Sequence, residues 1–321
     1  MNESPETESR AHSPTATAVG LAERRRIAVT GATGFIGRAL LRHLRQAGHE
    51  VRRIGRSGDA DVRWNPAAGT MDAAGLDGVD AVIHLAGEQI AQRWTAEARQ
   101  RILDSRVDGT RLIAQTCAAM RVTPEVLVCS SAVGIYGDRG DLWLDESSET
   151  GSDFLADVCR RWEAAAQPAR DVGMRVVHLR TGVALSPEGG ALGKMLLPFQ
   201  MGVGGRLGAG TQWMSWISRH DLVRAMLFAV ESPELSGPVN AVAPEPVTNA
   251  TFASTLGRVL RRPAVLPVPR FALRAMYGRM AEETILASQR VRARALEAAG
   301  FAFTHPTLAS ALRFELAEAQ Q

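Results

Sequence analysis

Residues 26–46 read RIAVTGATGFIGRALLRHLRQ, an apolar, β-branched-rich run at 27–30 followed by a glycine turn and then a helical spacing of apolar positions at 38–46. A second apolar run at 50–54 completes a predicted strand–turn–helix–strand unit. The alternation continues along the chain. Residues 80–85 (DAVIHL) predict a buried strand, 95–120 a long helix, 126–130 a strand, 153–167 a helix and 175–179 a strand. Strands alternating with helices of this length predict an α/β fold with a doubly wound parallel sheet and a ligand site at the strands' carboxyl ends. From about residue 181 the rhythm breaks into glycine loops (189–190 and 202–210), proline-bounded segments and a helical tail. We therefore expect a dinucleotide-binding domain over 25–180, with later segments returning to it, and a smaller α/β lobe over 181–321. Residues 1–24 are rich in Ser, Thr, Glu, Pro and Ala and read as a disordered tail.

The turn between the first strand and helix carries the chemistry. Gly31, Gly34 and Gly37 stand three apart. In a Rossmann-type unit the first glycine permits the tight turn, the second lets the backbone approach a pyrophosphate, and the third lets helix and strand pack closely. The helix N-terminus presents free amides and a partial positive charge to the phosphates. Gly31, Thr33, Gly34, Phe35, Ile36 and Gly37 are thus the expected phosphate cradle. A site selecting NAD places Asp or Glu at the end of the second strand, against the ribose 2′-hydroxyl. Here Gly55, Arg56 and Ser57 occupy that place. A guanidinium at Arg56 suits a 2′-phosphate, with Ser57 as a further donor and Arg38 contributing from the first helix, so the predicted cofactor is NADP(H).

Composition narrows the rest. With 45% hydrophobic residues the chain has material for a full core, and its net charge of +3 with pI near 9.1 is mild. The charges are spread and aromatic content is 5%, which argues against nucleic acid as a partner. Cys117, Cys129 and Cys159 are odd in number and widely separated, which suits a reducing compartment rather than a disulfide framework. The histidines show no ligand spacing, so no metal is expected. No apolar run reaches spanning length and no signal or transit pattern appears, so we expect no membrane partner and a cytoplasmic location.

The segments GATGFIGRALL (31–41), HLAGEQIAQRWT (84–95), SRVDGTRLI (105–113), SSAVGIYGD (130–138), LRTGVALSPEGGAL (179–192) and QWMSWISRHDLVRA (212–225) resemble the extended branch of the short-chain dehydrogenase/reductase superfamily. More closely, the chain is similar to an epimerase-like family sometimes labelled cell-division inhibitor homologues, whose small C-terminal domain residues 267–312 resemble. The resemblance implies that Leu85, Ala86, Gly87, Arg106, Ser130, Thr181, Gly182 and Val183 line the cofactor. It also implies a homodimer through the helices at 95–120 and 153–167. The superfamily's Tyr-x-x-x-Lys pair is missing. Leu155 stands at the tyrosine position, Cys159 at the lysine position, and Arg106 where an extended-type asparagine would be.

Another acid must then serve. Glu88 follows the HLAG turn, and Tyr136 lies past the Ser130–Ser131 strand end. The expected catalytic set is Glu88 or Tyr136 for the proton, with Ser131 hydrogen-bonded to the substrate oxygen. Lys194 and Arg206, beside the glycine loop at 202–210, suit an anionic small-molecule substrate such as a nucleotide-linked sugar. Two functions follow: an NADP(H)-binding oxidoreductase or epimerase-like enzyme acting by hydride transfer, or a non-catalytic NADP(H)-binding regulator linked to cell division.

Overall fold

The computed structural model describes residues 24–318; residues 1–23 of the expected tail lie outside them. In chain order the first part comprises β1 (Arg26–Thr30), α1 (Phe35–Gln46), β2 (Glu50–Gly55), β3 (Val62–Asn65), β4 (Thr70–Met71), β5 (Ala81–His84), α2 (Ala96–Ala119), β6 (Val126–Ala132), β7 (Trp143–Leu144), α3 (Phe154–Ala164), α4 (Gln167–Asp171) and β8 (Arg175–Thr181). There follow β9 (Val183–Leu185), α5 (Gly190–Gln200), β10 (Trp213–Met214), β11 (Trp216–Ser218), α6 (Arg219–Glu231), β12 (Gly237–Ala241), β13 (Val247–Thr248), α7 (Asn249–Leu260), α8 (Arg270–Tyr277), β14 (Arg290–Val291), α9 (Arg294–Ala298) and α10 (Leu308–Glu318).

The main sheet has the order β12-β8-β6-β5-β1-β2-β3-β4 and is parallel except for the β3–β4 pair. Its central strands are apolar without alternation because helices cover both faces. Ile27, Val29 and Ile83 face α1 and α6, through Leu40, Leu44 and Met226. Ala28, Val82 and Leu127 face the opposite layer, with Ile113 of α2 and Ala169 of α4. This is the Rossmann-like α/β fold expected from the strand–helix alternation.

Two local departures have simple causes. The single helix expected over 153–167 is two, because Pro168, in the first turn of α4, lacks the amide that a continuous helix needs. The short β3 and β4 extend the sheet edge with too few residues to show a period; burial of Val62 and Trp64 on β3 fixes their face.

Beyond β8 the chain divides its residues between both parts. Helix α6 packs on α1, and β12 extends the main sheet beside β8. The lobe itself is held by three two-stranded pairs, β9–β11, β10–β13 and β7–β14, the last of which ties residues 290–291 back to 143–144. Among the described residues no helix is long and apolar enough to cross a membrane.

Candidate functional site

Strand order reverses at β1. From β1 the chain runs outward through β2, β3 and β4, and then crosses back to place β5 on the other side of β1. The connections leaving β1 and β5 diverge there, and the gap between them is where α/β sheets hold ligands. The two strand ends are locked together. Thr30 Oγ1 accepts hydrogen bonds from the amides of Leu85 (2.9 Å) and Ala86 (3.1 Å), which leaves its own proton for His84 Nδ1 at 2.7 Å. His84 is wholly buried, edge-on to Trp64. Burial, with the Arg106 charge added, pulls its pKa down to about 3, so the ring is neutral and carries its proton on Nε2.

The glycines earn their places differently. Gly31 has φ +66°, and a Cβ there would press to 2.9 Å from the Leu85 carbonyl carbon. A Cβ on Gly37 would stand 2.1 Å from the Gly31 carbonyl oxygen. Gly34 has no such internal conflict and is exposed, ready for a group outside the chain. It is the N-cap of α1 with no side-chain cap, and the first turn holds no acidic residue. Phe35 and Ile36 therefore begin a helix whose end is left open to an anion. Arg38 donates to the Thr33 carbonyl (2.7 Å) and pairs with Glu188 (3.2 Å). Phe35 lies under Gly189, whose Cβ would come to 2.9 Å from its ring, so the β9–α5 loop closes against this cradle.

After β2 the arginines separate into roles. Arg52 donates to the carbonyls of Gly75 and Asp77, and Arg53 pairs with Asp59 and Asp61. Arg56 is exposed and has no partner among the described residues. Ser57, expected as a second donor, gives its hydroxyl to Asp59 Oδ1 at 3.1 Å.

After β5, Gly87 lies against the guanidinium of Arg106, which is buried, sits over the Trp162 ring and donates to the carbonyls of Glu88 and Ile102. No carboxylate pairs with Arg106 among the described residues, and burial lowers its pKa. Glu88 is half-buried; its amide donates to Ser105 Oγ, and among the described residues its carboxylate accepts a hydrogen bond from Gln92, at 3.2 Å, and lies within the field of Arg106. Lys194 of α5 reaches across to the Ala91 carbonyl at 3.0 Å. At the end of β8, Gly182 is required by the Ser215 carbonyl, which a Cβ would meet at 2.5 Å, and Val183 donates its amide to the same oxygen. Thr181 bonds back to the Leu179 carbonyl.

The carboxyl end of β6 is self-contained. Ser131 donates to Glu163 Oε1 at 2.7 Å; Glu163 takes a bidentate pair from Arg180, both contacts at 2.9 Å. Arg180 also donates to the Tyr136 hydroxyl (3.1 Å), which donates in turn to Asn240 Oδ1 at 2.8 Å. Burial pushes the Glu163 carboxyl up, but the Arg180 pair and the Ser131 hydroxyl outweigh it and hold the group below the usual glutamate range. Burial raises the Tyr136 phenol. This corrects the expectation that Tyr136 faces substrate: its ring is wholly buried and its hydroxyl is engaged as donor and acceptor. Ser130, the neighbour of Ser131, is half-buried and has no side-chain partner among the described residues. Leu155 fills the tyrosine position, packed against Gly134, and Cys159 fills the lysine position with its thiol pushed up to about 12 by burial. Neither can exchange a proton near neutral pH.

Residues not singled out from the sequence complete this end. The π-helical turn Ala281–Ile285 of the lobe brings Glu283 to the N-terminus of α3, where it accepts from the Leu155 amide at 3.3 Å. A carboxylate 128 residues away from the helix it caps leaves no local signal.

Fold and site define a dinucleotide-binding protein of the extended short-chain dehydrogenase/reductase class in which Leu155 and Cys159 of α3 stand where the usual tyrosine and lysine would. The comparisons with known proteins agree. Residues 27–242 match the NAD dependent epimerase/dehydratase family and residues 268–315 match a domain of unknown function, DUF1731. The chain belongs to the NAD dependent epimerase/dehydratase family, alongside proteins named epimerase family protein SDR39U1. It is 46% identical over 292 residues to an epimerase family protein of Mycobacterium bovis, covering 90% of this chain and 96% of the relative. The human SDR39U1 protein is 37% identical, with 90% and 98% covered. Its crystal structure (isoform 2), described as solved with NADPH, superposes at a TM-score of 0.84 with 36% identity, covering 90% of this chain and 98% of that one. A nucleoside-diphosphate sugar epimerase from Corynebacterium glutamicum superposes at 0.76 with 38% identity, covering 93% of this chain and 60% of that one.

Proposed function

We propose that the chain is an NADP(H)-dependent oxidoreductase or epimerase-like enzyme acting on a small polar or nucleotide-linked substrate, without the Tyr-x-x-x-Lys pair. The observation that carries the cofactor choice is Arg56: both arginines of β2 are engaged, no acid stands at the strand's end, and this exposed guanidinium just beyond it has no partner among the described residues, with the exposed Arg63 of the neighbouring strand beside it. NADPH in the human relative's structure supports the same choice. The open amides at Phe35 and Ile36 suit the pyrophosphate, and Leu85, Ala86 and Gly87 line the crevice floor. The cofactor, when bound, supplies the hydride chemistry.

The chain's own residues then take the proton and the substrate oxygen. Ser131 has committed its proton to an ionised Glu163, so its remaining lone pairs accept, and it holds a substrate hydroxyl rather than a carbonyl. Glu88, on the adjacent strand's exit loop and hydrogen-bonded through its carboxylate to Gln92 alone among the described residues, is the proton-handling carboxylate. Tyr136 acts at one remove, by fixing Arg180. Parallel fluorescence titrations with NADPH and NADH test the cofactor choice. Arg56→Ala should weaken NADPH about 10- to 100-fold and leave NADH unchanged; equal affinities in the parent protein would overturn it. Reduction of NADP+ by a panel of sugar and other alcohol substrates, lost in Glu88→Gln, tests the chemistry. The burial of Leu155 and Cys159 favours a second reading, a cofactor-binding regulator, which tight binding with no turnover on any substrate would select.

A further inference from the structure

One face of the lobe combines exposed apolar side chains with a one-sided charge. Between Glu188 and Asp221, and again between Glu245 and Glu282, the chain holds no Asp or Glu. Those segments carry Lys194, Arg206, Arg258, Arg261, Arg262, Arg270, Arg274 and Arg279 at the surface. Glu282 and Glu283 neutralise only the last three. Arg206, Arg258, Arg261 and Arg262 have no acidic partner among the described residues, and Arg258 and Arg261 line a cleft of about 320 Å³ with Arg313 of α10. Arg261 is also the single non-glycine residue with positive φ (55°) among them.

Large exposed apolar side chains lie in the same segments. Val265 is 75% exposed, Phe271 74%, Met201 66% and Leu197 64%, with Leu266, Val203 and Met276 about half exposed or more. They are contiguous through the backbone: Leu266 donates to the Gly204 carbonyl, Val268 to Arg206, and Gly208 back to Val268, so the 201–208 and 263–268 loops run side by side into α8. On α8, Leu273 faces inward while Phe271 and Met276 face out among the arginines. Monomers rarely leave such a contiguous apolar patch open without use.

The charge pattern chooses the occupant. A second copy docking through the same face would bring two sets of the unpaired Arg206, Arg258, Arg261 and Arg262 together, with Glu282 and Glu283 already committed to Arg270, Arg274 and Arg279. Nucleic acid would find one exposed aromatic ring, Phe271, among aliphatic groups that cannot stack on bases. Exposed aliphatic side chains interspersed with arginine along residues 258–279 fit a headgroup–acyl boundary carrying negative charge. We propose that this face binds peripherally to an anionic lipid surface, with residues 263–276 and the end of α5 seated at the boundary. This departs from the expectation of no membrane partner, and it requires no spanning segment.

The test is co-sedimentation of the full-length protein with vesicles of phosphatidylcholine alone and of phosphatidylcholine mixed with phosphatidylglycerol, at low and high salt. Binding is expected only to the mixed vesicles and is expected to fall with salt. Arg261→Asn with Arg262→Ser should reduce it about fivefold per charge. Phe271→Asp with Val265→Asp should abolish it while leaving thermal midpoint and NADPH affinity unchanged, since both side chains are exposed. Equal binding to both vesicles, binding to neither, or tighter binding to a single-stranded oligonucleotide would each overturn the proposal. So would a concentration-dependent dimer in light scattering that Phe271→Asp dissolves.

Discussion

The two halves of the crevice are built on opposite principles. At the exits of β1 and β2 groups are left short of partners: an uncapped helix end, an exposed Gly34 and an Arg56 with no partner among the described residues. At the exits of β6 and β8 nearly every polar group is used, in the chain Ser131–Glu163–Arg180–Tyr136–Asn240. A region whose polar groups are satisfied internally has stability as its product, whereas a region left incomplete is finished by a ligand. The contrast supports the proposed placing of cofactor recognition at the first pair of strands, and the burial and double engagement of the Tyr136 hydroxyl leave it poorly placed to exchange a proton.

The strongest challenge to this contrast is Glu163→Gln. It leaves Arg180 buried with half a partner and should cost about 3–5 kcal/mol in denaturant unfolding, while NADPH affinity in the folded fraction is retained. A loss under 1 kcal/mol would mean the network is not the keystone of its half. Acid should act on both halves in one direction. His84 and His178, pulled down by burial to about 3 and about 4, are neutral in the folded protein and protonate near 6.5 when it unfolds. The unfolded chain then binds more protons, so stability should fall as pH drops from about 6.5 towards 3, and the depressed Glu163 adds to the loss below about 4.5. A flat stability profile over that range would refute the neutral assignments.

Thr30→Val is a finer probe because it removes one hydroxyl that ties β1 to β5. Two amides and His84 Nδ1 lose their partner, with an expected cost of about 2 kcal/mol and weaker cofactor binding together. Tyr136→Phe should cost about 1 kcal/mol with cofactor affinity unchanged; a fall in turnover larger than the fall in stability would return the tyrosine to the chemistry. Arg56→Ala is expected to shift stability by less than about 0.5 kcal/mol, its effect confined to NADPH affinity.

The glycine turn, the strand–helix alternation and the absence of a Tyr-x-x-x-Lys pair were all legible from adjacent residues, because steric demand at Gly31 and Gly37 and the periodicity of apolar positions are local properties. The loose arginines of β2 were legible only as a group. Which of them is free depends on Asp59, Asp61 and the carbonyls of Gly75 and Asp77, groups brought together by the sheet edge. Glu163 and Arg180 lie 17 residues apart, Tyr136 and Asn240 104, and Leu155 and Glu283 128. Hydrogen-bond partners at such separations are chosen by how strands and helices stack, and a buried polar group's role is set by the partner it meets. Composition and spacing thus specify the doubly wound frame and its phosphate turn, while three-dimensional packing assigns each titratable side chain either to structure or to a ligand, since ionisation and hydrogen bonding depend on burial and distance rather than on position in the chain.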